Sequence, residues 1–216
     1  MNSYRSLCLI ALPVALTATA SFAFAGDMEK HGVAFGDSAP MATAKMLNVD
    51  GRELSIADVT GEKGTLVFFS CNGCPWVKAW EDRMVDLGNR YQKKGIGFIV
   101  INSNDPARNA EDGFDVMKTR VKEKGYPFPY VVDATSDVAR AFAATRTPEA
   151  FLFNSEGKLV YHGAIDDNGK DPTAVDAHYL RDALEAVTNG GKIAVKETKS
   201  IGCSIKFRGS EAPAKS

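Results

Sequence analysis

An α/β fold, a central mixed sheet with helices on both faces, is predicted by three features of this sequence. Residues 65–70 form an apolar run of the length and composition of a buried strand. After Pro75, the apolar residues Val77, Trp80, Met84, Leu87 and Tyr91 recur at spacings of three and four, which draws one stripe down a helix. Further strand and helix patterns then alternate and close with a hairpin and a last helix, the order expected of a mixed sheet covered on both sides.

Between the first strand and its helix stands Cys71-Asn72-Gly73-Cys74-Pro75. Pro75 suits a first helical position, where its missing N–H costs nothing. Unpaired amides and the helix dipole favour negative charge at that end. A thiolate, the nucleophilic form of cysteine, is therefore favoured there. A second cysteine three residues away can close a small disulfide, so that the pair carries two electrons. A structural disulfide or half a zinc site is the alternative. Zinc needs further ligands at motif spacing, and the three histidines show no paired spacing.

The chain has 216 residues and a formal net charge of −1. Without a basic cluster it gives no reason to expect a nucleic-acid partner. Residues 1–25 read as a signal peptide: Arg5, an apolar stretch over 7–20, and Ala23-Phe24-Ala25 before Gly26. The apolar segment is short for a bilayer span, so the mature chain is not expected to span a membrane. Export is expected, to the periplasm if the source is bacterial, with Cys8 leaving and Cys71, Cys74 and Cys203 remaining in a compartment that permits disulfides.

Residues 26–40 show no periodicity and read as an N-terminal arm. Residues 43–56 form a hairpin about Asp50-Gly51. The motif helix runs from Pro75 to about Lys94 and stops at Gly95. A second buried strand covers 96–102, and Asp105-Pro106 breaks it. Phe114, Met117 and Val121 mark a helix within 109–124 that ends at Gly125. A short strand at 130–133 and a short helix at 137–144 follow. The hairpin of 150–153 and 159–161 has Pro148 at its entrance. Residues 172–189 read as the last helix, burying Leu180, Leu184 and Val187. The main domain is thus 41–192, and 193–216 is a C-terminal tail whose end is small and polar.

The segment 67–83 resembles the thioredoxin superfamily. More narrowly it is similar to the peroxiredoxin-like AhpC/TSA-redoxin group, in which Cys-Pro-Tyr/Trp-Val-Lys-Ala-x-Glu-Asp-Arg follows the core strand, as Cys74 to Arg83 does here. The similarity covers roughly residues 35–207. It implies a thioredoxin-like fold with an N-terminal hairpin extension, and a thiol–disulfide oxidoreductase with Cys71 and Cys74 catalytic and no cofactor. It also implies that Thr147-Pro148 is a cis bond facing the cysteines, which turns the Thr147 backbone outward to pair with a substrate chain; Trp76, beside the cysteines, is expected to line the substrate groove. Cis is tolerable only before proline.

The order of attack stays open. A thioredoxin-like reductase implies an exposed, nucleophilic Cys71, whereas Pro75 makes Cys74 the cap residue, as in the peroxiredoxins. Peroxiredoxins also have Pro-x-x-x-Thr-x-x-Cys, where this chain has Val67 and Cys71 at the Pro and Thr places. Their active-site Arg has no clear match here, with Arg146 two residues before Pro148. A thiol peroxidase remains the enzymatic alternative, and a carrier of a soft ion such as Cu(I) the other. Cys203, in a Gly-Cys-Ser-Ile-Lys run similar to a C-terminal element of the group, is either a buried small hydrophobe, a third redox cysteine or a handle for an intermolecular disulfide. Expected partners are a protein or small-molecule disulfide, or a peroxide, and an electron-donating thiol protein. Asp166-Asp167 reads as a solvated loop, with a binding role kept open by an Ile-Asp-Asp in the resemblance. Lys78 and Glu81 read as a solvated helix face, and His162 and His178 are given no ligand role.

Overall fold

The computed structural model describes Met1 and residues 32–209. The expected leader beyond Met1, the start of the arm and residues 210–216 lie outside the described residues.

Seven strands make one sheet. The hairpin β1 (Met46–Asn48) and β2 (Glu53–Leu54) lies at one edge, as the Asp50-Gly51 turn predicts, with shorter strands than the pattern suggests. Next come β5 (Tyr130–Val132), β4 (Ile96–Asn102) and the central β3 (Gly64–Ser70), which run parallel. Beyond β3 lie β7 (Glu149–Asn154) and β8 (Leu159–Gly163), both in antiparallel pairings. The order is β2-β1-β5-β4-β3-β7-β8. A separate two-residue pair joins β6 (Arg146–Thr147) to β9 (Cys203–Ser204).

All seven residues of β3 are buried because both faces of the sheet are covered. Alternate side chains feed two cores. Leu66 and Phe68 pack with Trp80, Met84 and Tyr91 of α1 (Pro75–Tyr91), Met117 of α2 (Phe114–Lys124), and Leu180 and Leu184 of α4 (Tyr179–Asn189). Val67 and Phe69 pack on the other face with Ile99, Ile101, and Val138 and Phe142 of α3 (Asp137–Phe142). Each large apolar side chain fully buried in this way contributes about 1.5–3 kcal/mol. The apolar stripe read from the sequence is thus the face by which α1 sits on β3, and it anchors the cysteine loop at both ends.

The last helix differs from expectation. Residues 172–174 make a single 3-10 turn, and α4 begins only at Tyr179. The intervening chain is drawn out to bond with the loop after β8. Asn168 Nδ2 donates to Ala174 O at 2.9 Å, Asp167 N to Ala177 O at 3.2 Å, and Asp176 N to Asp167 Oδ1 at 3.2 Å. Val187 is half-buried rather than buried. The tail is packed as far as residue 209. It bridges to His162 at Glu197, forms β9, and bridges Asn104 at Phe207.

Candidate functional site

β3 ends directly before Cys71, and α1 begins directly after Cys74. Cys74 is the N-cap of α1, with extended backbone angles (φ −81°, ψ 124°) and Pro75 following. The turn between them is built on Asp112, which is buried. Its Oδ1 accepts from Asn72 N at 2.7 Å and Gly73 N at 3.0 Å, and its Oδ2 from Asn104 Nδ2 at 2.9 Å. Asn72 is held again by its own amide, which donates to Glu111 O at 2.8 Å, and by the Tyr130 hydroxyl, which donates to its Oδ1 at 3.0 Å. At position 73 a Cβ would stand 2.0 Å from Asn109 Nδ2, so glycine lets the two loops close on each other.

Opposite lies the turn entering β7. Thr147-Pro148 is a cis peptide. Thr147 touches both cysteines: its Oγ1 is 3.1 Å from Cys71 Sγ, and its carbonyl accepts from Cys74 Sγ at 3.1 Å. The turn is held by Glu149, whose Oε2 accepts from Thr145 N at 2.8 Å and Arg146 N at 2.9 Å. His162 Nε2 lies 2.7 Å from Glu149 Oε1, so this histidine positions the turn through the glutamate. Trp76 is half-buried against Cys71, Cys74 and Val77 and stacks on Trp80 at 5.7 Å. Cys203 completes the cluster from β9.

All three cysteines are free thiols. The electrostatics set them apart. Cys74 is lowered to about 5, chiefly because the Cys71 thiol donates to it, with further donation from the Cys203 thiol and from the N–H groups of Val77 and Cys203; burial opposes this. Cys71 is pushed upward by the same bond to Cys74, by burial and by the Asp112 carboxylate. Cys203 is raised to about 11 by burial and by Cys74. The helix start favours the thiolate at Cys74, the N-cap of α1. Cys71 is therefore not the exposed thiol that a thioredoxin-like reductase implies. It is 2% exposed and Cys74 3%, beneath Thr147 and the tail.

The AhpC/TSA family model matches residues 35–162. The chain belongs to the AhpC/TSA family. Its curated relatives include proteins named thiol-disulfide oxidoreductase ResA. The one from Geobacillus thermodenitrificans is 30% identical over 131 residues, 61% of this chain and 70% of the relative. The one from Bacillus subtilis is 28% identical over 137 residues, 63% and 69%. Among solved structures, an uncharacterized conserved protein from Geobacillus kaustophilus has a TM-score of 0.76 at 38% identity, covering 82% of this chain and 94% of its own. A hypothetical protein from Sinorhizobium meliloti has 0.75 at 32%, covering 83% and 98%. A thioredoxin-like protein in the oxidized form, 18% identical with a TM-score of 0.58 over 73% of this chain and 98% of its own, shares the fold. The AhpC/TSA chain is thus thioredoxin-like in architecture.

Two expectations for this AhpC/TSA chain are corrected. Glu81 is not on a solvated face. It is 1% exposed and bound by Arg120 Nε at 2.5 Å, Arg120 Nη2 at 2.8 Å and the Tyr126 hydroxyl at 2.5 Å, so it is a structural ion pair beneath α1. Lys78 is exposed as expected, paired with Glu111 at 2.9 Å. Asp166 is not solvated either. Its Oδ1 accepts from Trp80 Nε1 at 2.7 Å and its Oδ2 pairs with Arg83 at 2.5 Å, which clamps the loop after β8 onto the Trp76–Trp80 stack. Asp167 is exposed. The surface depression lined by Arg83, Leu87, Ile165 and His178 includes neither cysteine. Among the described residues no group of three or more His, Cys, Asp or Glu is placed to hold a metal ion, and no helix is long and apolar enough to cross a membrane.

Sequence reasoning missed Asp112, Asn72, Tyr130 and Glu149. The polar run Asn102-Ser103-Asn104 straight after a buried strand is the signal that points to this network, since buried polar groups need partners.

Proposed function

We propose that this protein is an exported thiol–disulfide oxidoreductase that works through Cys71 and Cys74. The observation that carries the reading is the Cys74 sulfur at the start of α1, with a second thiol, Cys71, packed against it. The relatives named thiol-disulfide oxidoreductase support the reaction class. The expected leader supports export.

In this mechanism the Cys74 thiolate attacks one sulfur of a substrate disulfide and expels the other half as a thiolate. A mixed disulfide joins Cys74 to the substrate. Cys71 then attacks the Cys74 sulfur, its proton passing to the departing substrate thiolate, and the Cys71–Cys74 disulfide closes. The substrate strand lies along Thr147 and Pro148, with Trp76 beside it. An electron-donating thiol protein restores the dithiol.

The test is reduction of insulin disulfides, with hydrogen peroxide supplied in parallel. Cys74→Ser is expected to abolish insulin reduction, and Cys71→Ser/Cys203→Ser to stall as a mixed disulfide. Peroxide consumption that survives Cys71→Ser and outpaces disulfide turnover would assign the thiolate to a peroxidase instead.

A further inference from the structure

The place that a substrate strand needs beside Thr147 is already taken by the protein's own tail. β9 pairs antiparallel with β6, Cys203 opposite Thr147 and Ser204 opposite Arg146. Ile205 N donates to Thr145 O at 3.0 Å and extends the pairing. At position 202 a Cβ would lie 2.2 Å from Thr147 O and 2.7 Å from its carbonyl carbon, so a glycine there is what permits the tail to lie so close. The strap is anchored on both sides of this contact. Upstream, Thr198 Oγ1 accepts from Ala164 N at 2.9 Å, and Thr198 N donates to His162 O at 3.0 Å. Downstream, Asp105 N donates to Lys206 O at 2.7 Å, and Lys206 N to Asn104 Oδ1 at 2.8 Å. Held this way, Cys203 packs against the cluster of Cys71, Cys74 and Val77.

We propose that residues 202–204 are a tethered pseudosubstrate, seated on Thr147 as a substrate strand would be, and that Cys203 is a second resolving thiol for Cys74. The inference rests on Cys74 being the nucleophile of the proposed function. The Cys74 thiolate attacks a disulfide R–S–S–R and releases one R–S⁻. The strap returns to its seat, and Cys203 attacks the Cys74 sulfur of the mixed disulfide. A Cys74–Cys203 disulfide forms, and the second R–S⁻ departs with the Cys203 proton. The substrate disulfide is the oxidant, and two protein thiols supply the two electrons.

The surroundings let Cys203 compete with Cys71 at that moment. Once Cys74 is in a disulfide, its thiolate no longer opposes ionisation of either neighbour. What then remains on Cys71 is deep burial and the Asp112 carboxylate, whereas Cys203 is more lightly buried and near the cations Lys206 and Arg146.

The experiment uses the full chain as Cys71→Ser, treated with oxidised glutathione, quenched by alkylation, and read by intact mass and non-reducing peptide mapping. The expected product is a Cys74–Cys203 disulfide with no glutathione retained, whereas Cys71→Ser/Cys203→Ser retains one glutathione on Cys74. A persistent adduct in Cys71→Ser overturns this inference and leaves Cys74 as nucleophile. Absence of the adduct in the double variant overturns the Cys74 reading itself. In Cys71→Ser/Gly202→Val, which keeps Cys203 but lifts the strap, closure is expected to slow by about tenfold or more as the effective concentration of Cys203 falls. Closure at an undiminished rate would overturn the pseudosubstrate seating.

Discussion

Acid is the perturbation that tests the cysteine cluster most directly. An unperturbed thiol ionises near 9.0, and Cys74 is lowered to about 5. The sign follows: the thiolate survives as pH falls and is quenched only below about 5. At pH 7 about 99% of Cys74 is ionised, against about 1% of an unperturbed thiol. Intrinsic nucleophilicity falls with basicity, however, with a slope of about 0.4–0.5, so four pH units cost about 40–100-fold. The two effects nearly cancel at pH 7, and neutral rates alone reveal little. At pH 5.5 Cys74 is still about three-quarters ionised while an ordinary thiol has lost a further factor of about 30, which leaves Cys74 ahead by about 25–60-fold. The assay is the thiolate absorbance near 240 nm of the reduced protein from pH 3 to 9, with peptide-resolved alkylation to assign the sulfur. A midpoint near 5 on Cys74, and an alkylation rate flat above pH 6, are expected. Ionisation confined to pH above 8 for all three thiols would refute the argument that the helix start and its donors activate this sulfur.

Two further predictions separate the scaffold from the chemistry. Asp112→Ala removes the acceptor for two backbone amides of the cysteine turn and is expected to cost about 2–4 kcal/mol in urea unfolding, because buried donors lose their partners; a loss below about 1 kcal/mol would mean that the turn holds its shape unaided. Glu81→Ala leaves Arg120 without its buried counter-ion and is expected to cost about 3–5 kcal/mol while the Cys74 titration midpoint stays in place; a displaced midpoint would draw Glu81 into the redox site.

Much of this was legible in the chain, for identifiable reasons. The strand, the cysteine turn and α1 are contiguous, and their periodicity depends only on neighbours, so β3 and the buried stripe follow from residues 64–91 alone. The turn residues that stop α1 and α2 are likewise local. What eluded the reading depends on partners far away in sequence. Glu81 looks solvated because Arg120 and Tyr126 lie 39 and 45 positions on. Asp166 looks solvated because Trp80 and Arg83 lie 86 and 83 positions back. The late start of α4 is decided by side chains of the preceding loop, which outcompete a helical pattern that is otherwise continuous. Cys203 was noticed, but its distance from Cys74 depends on how β9 folds back, and periodicity carries no such information.

The two residues between the cysteines are spoken for from outside their own loop. Asn72 is gripped by Glu111 and Tyr130, and Gly73 is shut in by Asn109. Grafting another dipeptide into this spacer would therefore strand or crowd polar groups of two other segments. A designer who wants a different reduction potential here has to rebuild residues 109–112 along with it, or work from the far side of the sulfurs, at Thr147.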